Sequence, residues 1–316
     1  MKTTGIVLTL FLATLPGRSS AWNIPGHALS AAIAHQILQQ ENPATIDKVK
    51  AVLAVQPWHS TRWQYSLASF TGVDTDVMLF MVAARWPDDI RTNDKTHHRG
   101  PWHYVNMPFK PAGQPAHIQP TPAGIPNILT ALVDNGDIAA NHPDPQKRAI
   151  ALTWLFHLVG DIHQPLHTSQ LFSVDYPNGD QGGNQICIRT KAGTEPVNVH
   201  KFWDDVITRS DRLTVLQKSA TFLRTRQEFA KPQLTELGTT DFEGWAKESF
   251  QAAIAVAYQG GTVKGAPKNH NQDCREVPAA PALSLDYIAT ARRVADRRMV
   301  LAGYRLADVL RQVVAQ

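Results

Sequence analysis

Residues 151–167, ALTWLFHLVGDIHQPLH, set two ionisable side chains four apart, His157 and Asp161, inside an otherwise apolar run. On a helix that spacing stacks them on one face, one turn apart. Leu152, Leu155, Phe156, Leu158, Val159 and Ile162 recur too densely for a surface helix, so the segment should cross the core. The same spacing returns in NVHKFWDD, with His200 and Asp204. One buried pair needs nothing beyond an imidazole held by a carboxylate. Several such groups left without partners would cost about 1–3 kcal/mol for each neutral one and more for each charge. A divalent cation removes that cost by coordinating both groups, so two pairs make a metal hypothesis.

The elements that must position these residues read as helices joined by long loops. Pro165 should end the central helix at or before Gln164, leaving His167 in the turn. Residues 28–40 form a helix with Ile33, Ile37 and Leu38 on its buried side and His27 at its start. Residues 45–55 and 74–84 are two more, the second leading into Ala84-Arg85-Trp86-Pro87-Asp88-Asp89-Ile90-Arg91, whose paired acids read as solvated charge at a helix end. Residues 102–106 alternate like a short extended segment, 107–125 form a loop, and another helix begins at Pro126. Residues 173–184 are glycine-rich and irregular, and 186–189 with 196–199 read as a small hairpin carrying Cys187. Helices return from Phe202, with 210–230, 242–259 and 284–314. An exposed loop over 260–281 carries Cys274. In the last helix Arg292, Arg293, Arg297 and Arg298 read as a solvated face.

With 316 residues, 43% of them hydrophobic and 18% charged, the chain can bury one large core or two modest ones. It shows no repeat, no low-complexity tract and no domain boundary, which favours one mainly helical domain. Residues 1–21 read as a secretory leader, with Lys2 near the start, an apolar run from Gly5 to Leu15 and Ser19-Ser20-Ala21 before the cut. Nothing later supplies about 18 uninterrupted apolar residues, so no membrane anchor is expected. Cleavage after Ala21 would give Trp22 a free α-amine, a nitrogen donor that internal residues lack.

Lys2 and Arg18 belong to that leader, so the formal charge of +4 leaves a weak basic excess and no cationic run of the kind that grips duplex phosphates. The only cysteines, Cys187 and Cys274, fit one disulfide in an oxidising compartment or two reduced thiols. With no cysteine cluster, a metal would have to be held by His, Asp, Glu and the terminus.

The motifs WNIPGH, WPDD, WHYVN, HLVGDIHQPLH and NVHKFWD, in this order and spacing, resemble those of the S1/P1 nucleases across essentially the whole chain after residue 21. The resemblance implies an all-α fold of the phospholipase C/P1 nuclease type, one domain over 22–316 with a small β-hairpin, and a monomer. It implies three Zn2+ ions: one held by Asp88, His103, His157 and Asp161, a second by Asp161, His27 and the amine and carbonyl of Trp22, and a third by His167, His200 and Asp204. Water between such ions loses its proton near neutral pH and becomes a nucleophile.

The implied activity is hydrolysis of single-stranded RNA and DNA to products with 5′ phosphates, together with action on 3′-nucleotides. Asp88, Asp161 and Arg91 would take part in the reaction, Arg91 beside the phosphate or paired with a neighbouring acid. Tyr104 falls where the family stacks a base, and Asn106 falls at a base-contacting position where an acid is familiar. Trp203, Asn198 and Gly182-Gly183-Asn184 match as support for the ligands. His163, six residues past His157, points off the ligand face, and His35, His59, His97, His98, His117, His142 and His270 lie outside the motifs. Two alternatives stand beside this reading. A zinc-dependent phospholipase C shares the fold but typically has glutamate where Asp204 stands, and a secreted zinc-binding protein could keep the cage without turnover.

Overall fold

The computed structural model describes residues 22–69, 74–92 and 94–315. The leader read at residues 1–21 therefore lies outside the described residues. The first half of the chain holds α1 (Ile24–Glu41), α2 (Pro43–Leu53), a wide turn over His59–Trp63 running into α3 (Gln64–Ser69), α4 (Thr75–Asp89), a tight helical turn Gly100–His103 and β1 (Met107–Phe109). Next come α5 (Ile128–Asn141), α6 (Pro145–Asp161), a second tight turn Pro165–Thr168, β2 (Ser169–Leu171), β3 (Ile186–Ile188) and β4 (Val197–Asn198). The chain closes with α7 (Val199–Asp205), α8 (Leu213–Thr225), α9 (Phe242–Ala252), β5 (Ala266–Pro267) and α10 (Leu285–Val313). The fold is mainly helical, as expected.

The helices that carry the site's early and central residues start where their sequence offers a cap. Asn23 Oδ1 accepts the Gly26 amide at 2.9 Å, and Pro25 stands in the first turn, where its missing N–H is not needed. Helix α1 therefore begins before His27 and carries it, rather than starting after it at residue 28. Asp144 caps α6 through the Gln146 amide at 2.8 Å. From Ala151 to Asp161 every residue of α6 is buried, packed among α1, α4, α5 and α10. Helix α4 runs past residue 84 to Asp89 with Pro87 inside its last turn, so Asp88 is delivered by a helix and is buried. The reading of both acids as solvated fails for a second reason: Asp89 is bound by Arg85 at 2.8 Å.

Short strands complete the frame. The expected hairpin is present as β3 and β4, paired antiparallel with Cys187 opposite Asn198, and β5 adds a third strand on the other side of β3. A parallel pair, β1 with β2, matches Met107 with Ser169 and Phe109 with Leu171. Residues 102–106 are not extended throughout, because the tight turn Gly100–His103, with Pro101 at its second position, reaches His103. Cys187 and Cys274 form a disulfide, which joins the hairpin to the late loop. Cys274 is buried there, not exposed. No helix among the described residues is long and apolar enough to cross a membrane.

The arginines of α10 do not form one solvated face. Arg298 and Arg305 are buried and share the Glu248 carboxylate of α9 at 2.7 Å each. Arg298 Nη2 also donates to Ser249 Oγ at 2.5 Å, Ser249 donates to Ile162 O at 2.5 Å, and Arg305 Nη1 meets His163 Nε2 at 2.9 Å. The network clamps the turn that leaves α6. Removing the one acid would strand two guanidinium groups away from water, so Glu248→Ala is expected to lower unfolding free energy by about 3 kcal/mol or more. Urea unfolding measures it, and a loss below about 1 kcal/mol, the value of a surface pair, would contradict the account.

Candidate metal centre

Six elements converge at the C-terminal end of α6. His27 comes from α1, Asp88 from the end of α4, His103 from its tight turn, His157 and Asp161 from α6, and His167 from the turn after it, while α7 supplies His200 and Asp204. All eight side chains are buried. Asp161 is the hub. Its Oδ2 lies 3.0 Å from His103 Nδ1 and 3.1 Å from His157 Nε2, whereas Oδ1 lies 3.3 Å from His27 Nε2. Asp88 Oδ1 sits 3.8 Å from His157 Nε2 and 2.7 Å from Arg91 Nη2. The third corner places His200 Nε2 3.7 Å from Asp204 Oδ2.

Backbone carbonyls fix which nitrogen of each ring is available. His157 Nδ1 donates to Ala84 O at 2.8 Å, His167 Nδ1 to His103 O at 2.7 Å and His200 Nδ1 to Gly182 O at 2.7 Å. A neutral imidazole with its Nδ1 proton engaged carries a lone pair on Nε2. His167 Nε2 and His200 Nε2 nevertheless face each other at 3.1 Å. Two lone pairs at that distance repel unless a proton or a cation lies between them. Elsewhere in the cluster both ring nitrogens of His27, Asp88 Oδ2, His103 Nε2 and Asp161 Oδ1 lack an aligned hydrogen bond. Buried polar atoms without partners are costly, and the donor set here is the one that zinc and similar divalent ions take. The residues fit a bound metal, and three groups have ligand atoms close enough to hold one: His27, Asp88 and His157; His103, His157 and Asp161; His167, His200 and Asp204.

Burial and neighbouring charge set the protonation of these groups. Burial pushes the His103 and His200 imidazoles down to about 3, with the Arg91 guanidinium adding to the first and the His167 ring to the second. Burial acts the same way on His157, but the Asp161 and Asp88 carboxylates outweigh it and hold this ring above its ordinary value. For Asp161 burial opposes charge, yet the surrounding imidazoles, His157 first, keep it ionised well below the usual carboxylate range. Asp204 is pushed up by burial and the other acids, and Gln164 Nε2 donates to its Oδ1 at 2.8 Å.

Close approach dictates several glycines. A Cβ on Gly160 would come within 2.9 Å of His27 Nδ1, so only glycine lets α1 lie against α6 at this point. Gly182 has φ +63°, and a Cβ there would fall 2.5 Å from Leu166 O. Trp154 walls the other side, edge-on to His103 with ring centroids 5.4 Å apart.

The remaining sequence candidates lie around this centre. Trp22 is buried, with Nε1 donating to Gly160 O at 2.9 Å, and the next amide, of Asn23, bonds Asp204 O at 3.4 Å. Arg91 contacts Asp88 as an ion pair and approaches His103 Nδ1 at 3.4 Å. Tyr104 follows His103 and is 41% exposed, and Asn106 is half-buried. Trp203 Nε1 donates to Tyr287 OH at 3.0 Å, and Asn198 caps α7 through the Lys201 amide at 2.6 Å. His163 turns away to Arg305. Sequence reasoning passed over Gln164, Gly160 and Asp180. Gln164 stood inside a quoted motif, two residues before Leu166, whose amide its Oε1 accepts.

Fold and site together define a helical protein built around buried groups of imidazoles and carboxylates that could hold metal ions. The chain belongs to the S1/P1 nuclease family, which it matches over residues 22–315. Endonuclease 4 of Arabidopsis thaliana is 24% identical over 314 residues, covering 96% of this chain and 93% of that protein. Endonuclease 1 of the same plant is 24% identical over 324 residues, covering 99% and 94%. Nuclease S1 of Aspergillus oryzae is 28% identical over 134 residues, covering 42% and 43%.

Proposed function

We propose that this chain is an exported, zinc-dependent nuclease that hydrolyses single-stranded RNA and DNA to 5′-phosphorylated products and also acts on 3′-nucleotides, with residues 22–316 working as one monomeric domain. The observation that carries the reading is the convergence of buried imidazoles and carboxylates in three groups with ligand atoms close enough to share an ion, above all His167 Nε2 facing His200 Nε2 at 3.1 Å while both Nδ1 atoms donate to carbonyls. Asp88, His103, His157 and Asp161 would hold one ion, Asp161 with His27 and the Trp22 terminus a second, and His167, His200 and Asp204 a third. When bound, such ions supply Lewis-acid polarisation of a phosphodiester and an acidified water.

The chain's own groups do the positioning. Arg91 sets a fixed positive charge at the edge of the first cluster, suited to a phosphate. Tyr104 offers an exposed ring on which an unpaired base can stack, a contact that every base can make and a paired strand resists. Asn106 supplies a polar group two residues along. A cavity of about 920 Å³ opens beside Asp204, lined by acids (Glu195, Asp205, Asp211 and Asp273) as well as by Arg85, Lys201, Arg209 and Lys268, a volume in the range of small-ligand sites. The disulfide and the leader pattern support export to an oxidising compartment.

Chelation is expected to abolish hydrolysis of single-stranded RNA and added zinc to restore it, with 5′ phosphates found on the products by mass spectrometry. Phosphatidylcholine, assayed in parallel, should be cleaved far more slowly. A metal-loaded chain without phosphodiesterase activity would overturn the proposal, and faster cleavage of the lipid would replace it with the phospholipase reading.

A further inference from the structure

Asp180 is fully buried and lies outside every group of potential ligands. Backbone amides and a hydroxyl hold it, and among the described residues no cation pairs with it. Its Oδ1 accepts the Leu171 amide at 2.8 Å and the Tyr258 hydroxyl at 3.1 Å, and its Oδ2 accepts the Gly183 amide at 2.7 Å. The backbones of Asp180 and Leu171 are also joined, amide to carbonyl, at 3.0 Å. A carboxylate is a costly group to bury this way, since an apolar residue would fill the space without the desolvation penalty. What the carboxylate adds is direction. Leu171 ends β2, the strand that continues directly from the turn holding His167. Gly183 follows Gly182, whose carbonyl fixes His200 Nδ1, and Gly183 O itself accepts the His200 amide at 3.4 Å. Both glycines take positive φ, +63° and +84°, a conformation that needs outside bonds to stay in one form.

We propose that Asp180 is a positioning residue for the His167, His200 and Asp204 group: one buried carboxylate staples the two backbone segments that aim its facing imidazoles, and it does nothing for the other two groups. The inference rests on the metal-dependent reading above. Tyr258 sets the angle of the staple from behind, after the turn that extends α9.

Wild-type, Asp180→Asn, Tyr258→Phe and His200→Ala chains are loaded with zinc and dialysed against a graded series of competing chelator, and zinc per chain is read by mass spectrometry. The amide in Asp180→Asn turns an N–H toward the Gly183 N–H and breaks that bond. Asp180→Asn should therefore release one zinc at a chelator concentration about tenfold lower than wild type, the scale of effect of supporting residues around a metal. The zinc that stays should follow the release curve of His200→Ala, which lacks that group outright. Tyr258→Phe, which keeps both backbone bonds, should give a smaller shift of the same single ion. If Asp180→Asn does not fold, Tyr258→Phe carries the test, and a wild-type release curve for it overturns the proposal. A folded Asp180→Asn that matches wild type, or loses all its zinc in parallel, also overturns it. A wild-type chain that holds no zinc sinks the functional reading as well, whereas an unaltered Asp180→Asn sinks this inference alone.

Discussion

Asp161→Asn is expected to lower hydrolysis of single-stranded RNA by more than about 100-fold, the loss that changes in merely supporting residues reach at metal sites, and to cost more bound metal than Asp88→Asn. The asymmetry follows from what each oxygen faces. Asp161 turns Oδ2 to His103 and His157 and Oδ1 to His27, so its two oxygens serve two sides of the cluster. An amide would keep one oxygen and point N–H donors at the other side, where a ligand needs a lone pair. Asp88 faces the cluster from one side and is already held by Arg91 at 2.7 Å. Its amide variant should weaken a single position. Metal analysis of the two purified variants decides the matter: Asp161→Asn should lack at least one more ion per chain, and equal content in both would contradict a shared carboxylate. Thermal unfolding of the chelated proteins separates this effect from general instability.

The same comparison explains what could be read in advance. The pairs at helical spacing were legible because each sits within one short, strongly apolar helix, where four residues fix a common face whatever the rest of the chain does. The convergence of α1, α4, α6 and α7 on one point was not contained in spacing. It came from the resemblance, since local pattern carries no information on which helix ends meet. Strands of two or three residues, such as β1, β2 and β5, have no room for a period and left no signal. Arg298 was misread for a related reason. Its sequence neighbours resemble a charged surface, and only the docking of α9 brings Glu248 to it from 50 residues away. Asp180 left no trace because its partners include backbone amides, and the side chain that bonds it, Tyr258, lies 78 residues on. Residues 102–106 alternate as a strand would, but proline at the second position of Gly100–His103 favours a helical first turn.

Adding residues ahead of Trp22 is expected to remove one metal ion and to reduce activity by more than about tenfold, again the range of perturbed metal sites. Trp22 is held from three directions. Its indole bonds Gly160 O, the Asn23 amide bonds Asp204 O, and Asn23 Nδ2 bonds Asp205 Oδ1 at 2.9 Å and Thr208 O at 2.6 Å. A Cβ on Gly26 would come within 2.9 Å of Trp22 Cβ, so the residue has little freedom to swing aside. Its nitrogen thus belongs to a residue pinned between the elements that carry Asp161 and Asp204, close in sequence to His27, whose ring nitrogens have no aligned partner. A terminal amine there has a lone pair to give. The same nitrogen inside a peptide bond shares that pair with a carbonyl and keeps only an N–H to donate. Two chains of defined start, one beginning at Trp22 and one with Gly-Ser before it, differ in that feature alone when their melting temperatures agree. Their metal content and rates on single-stranded RNA should diverge. If mass spectrometry shows the extension intact while metal and rate equal those of the Trp22 chain, the terminus has no part in the centre and His27 with Asp161 must suffice for the second ion.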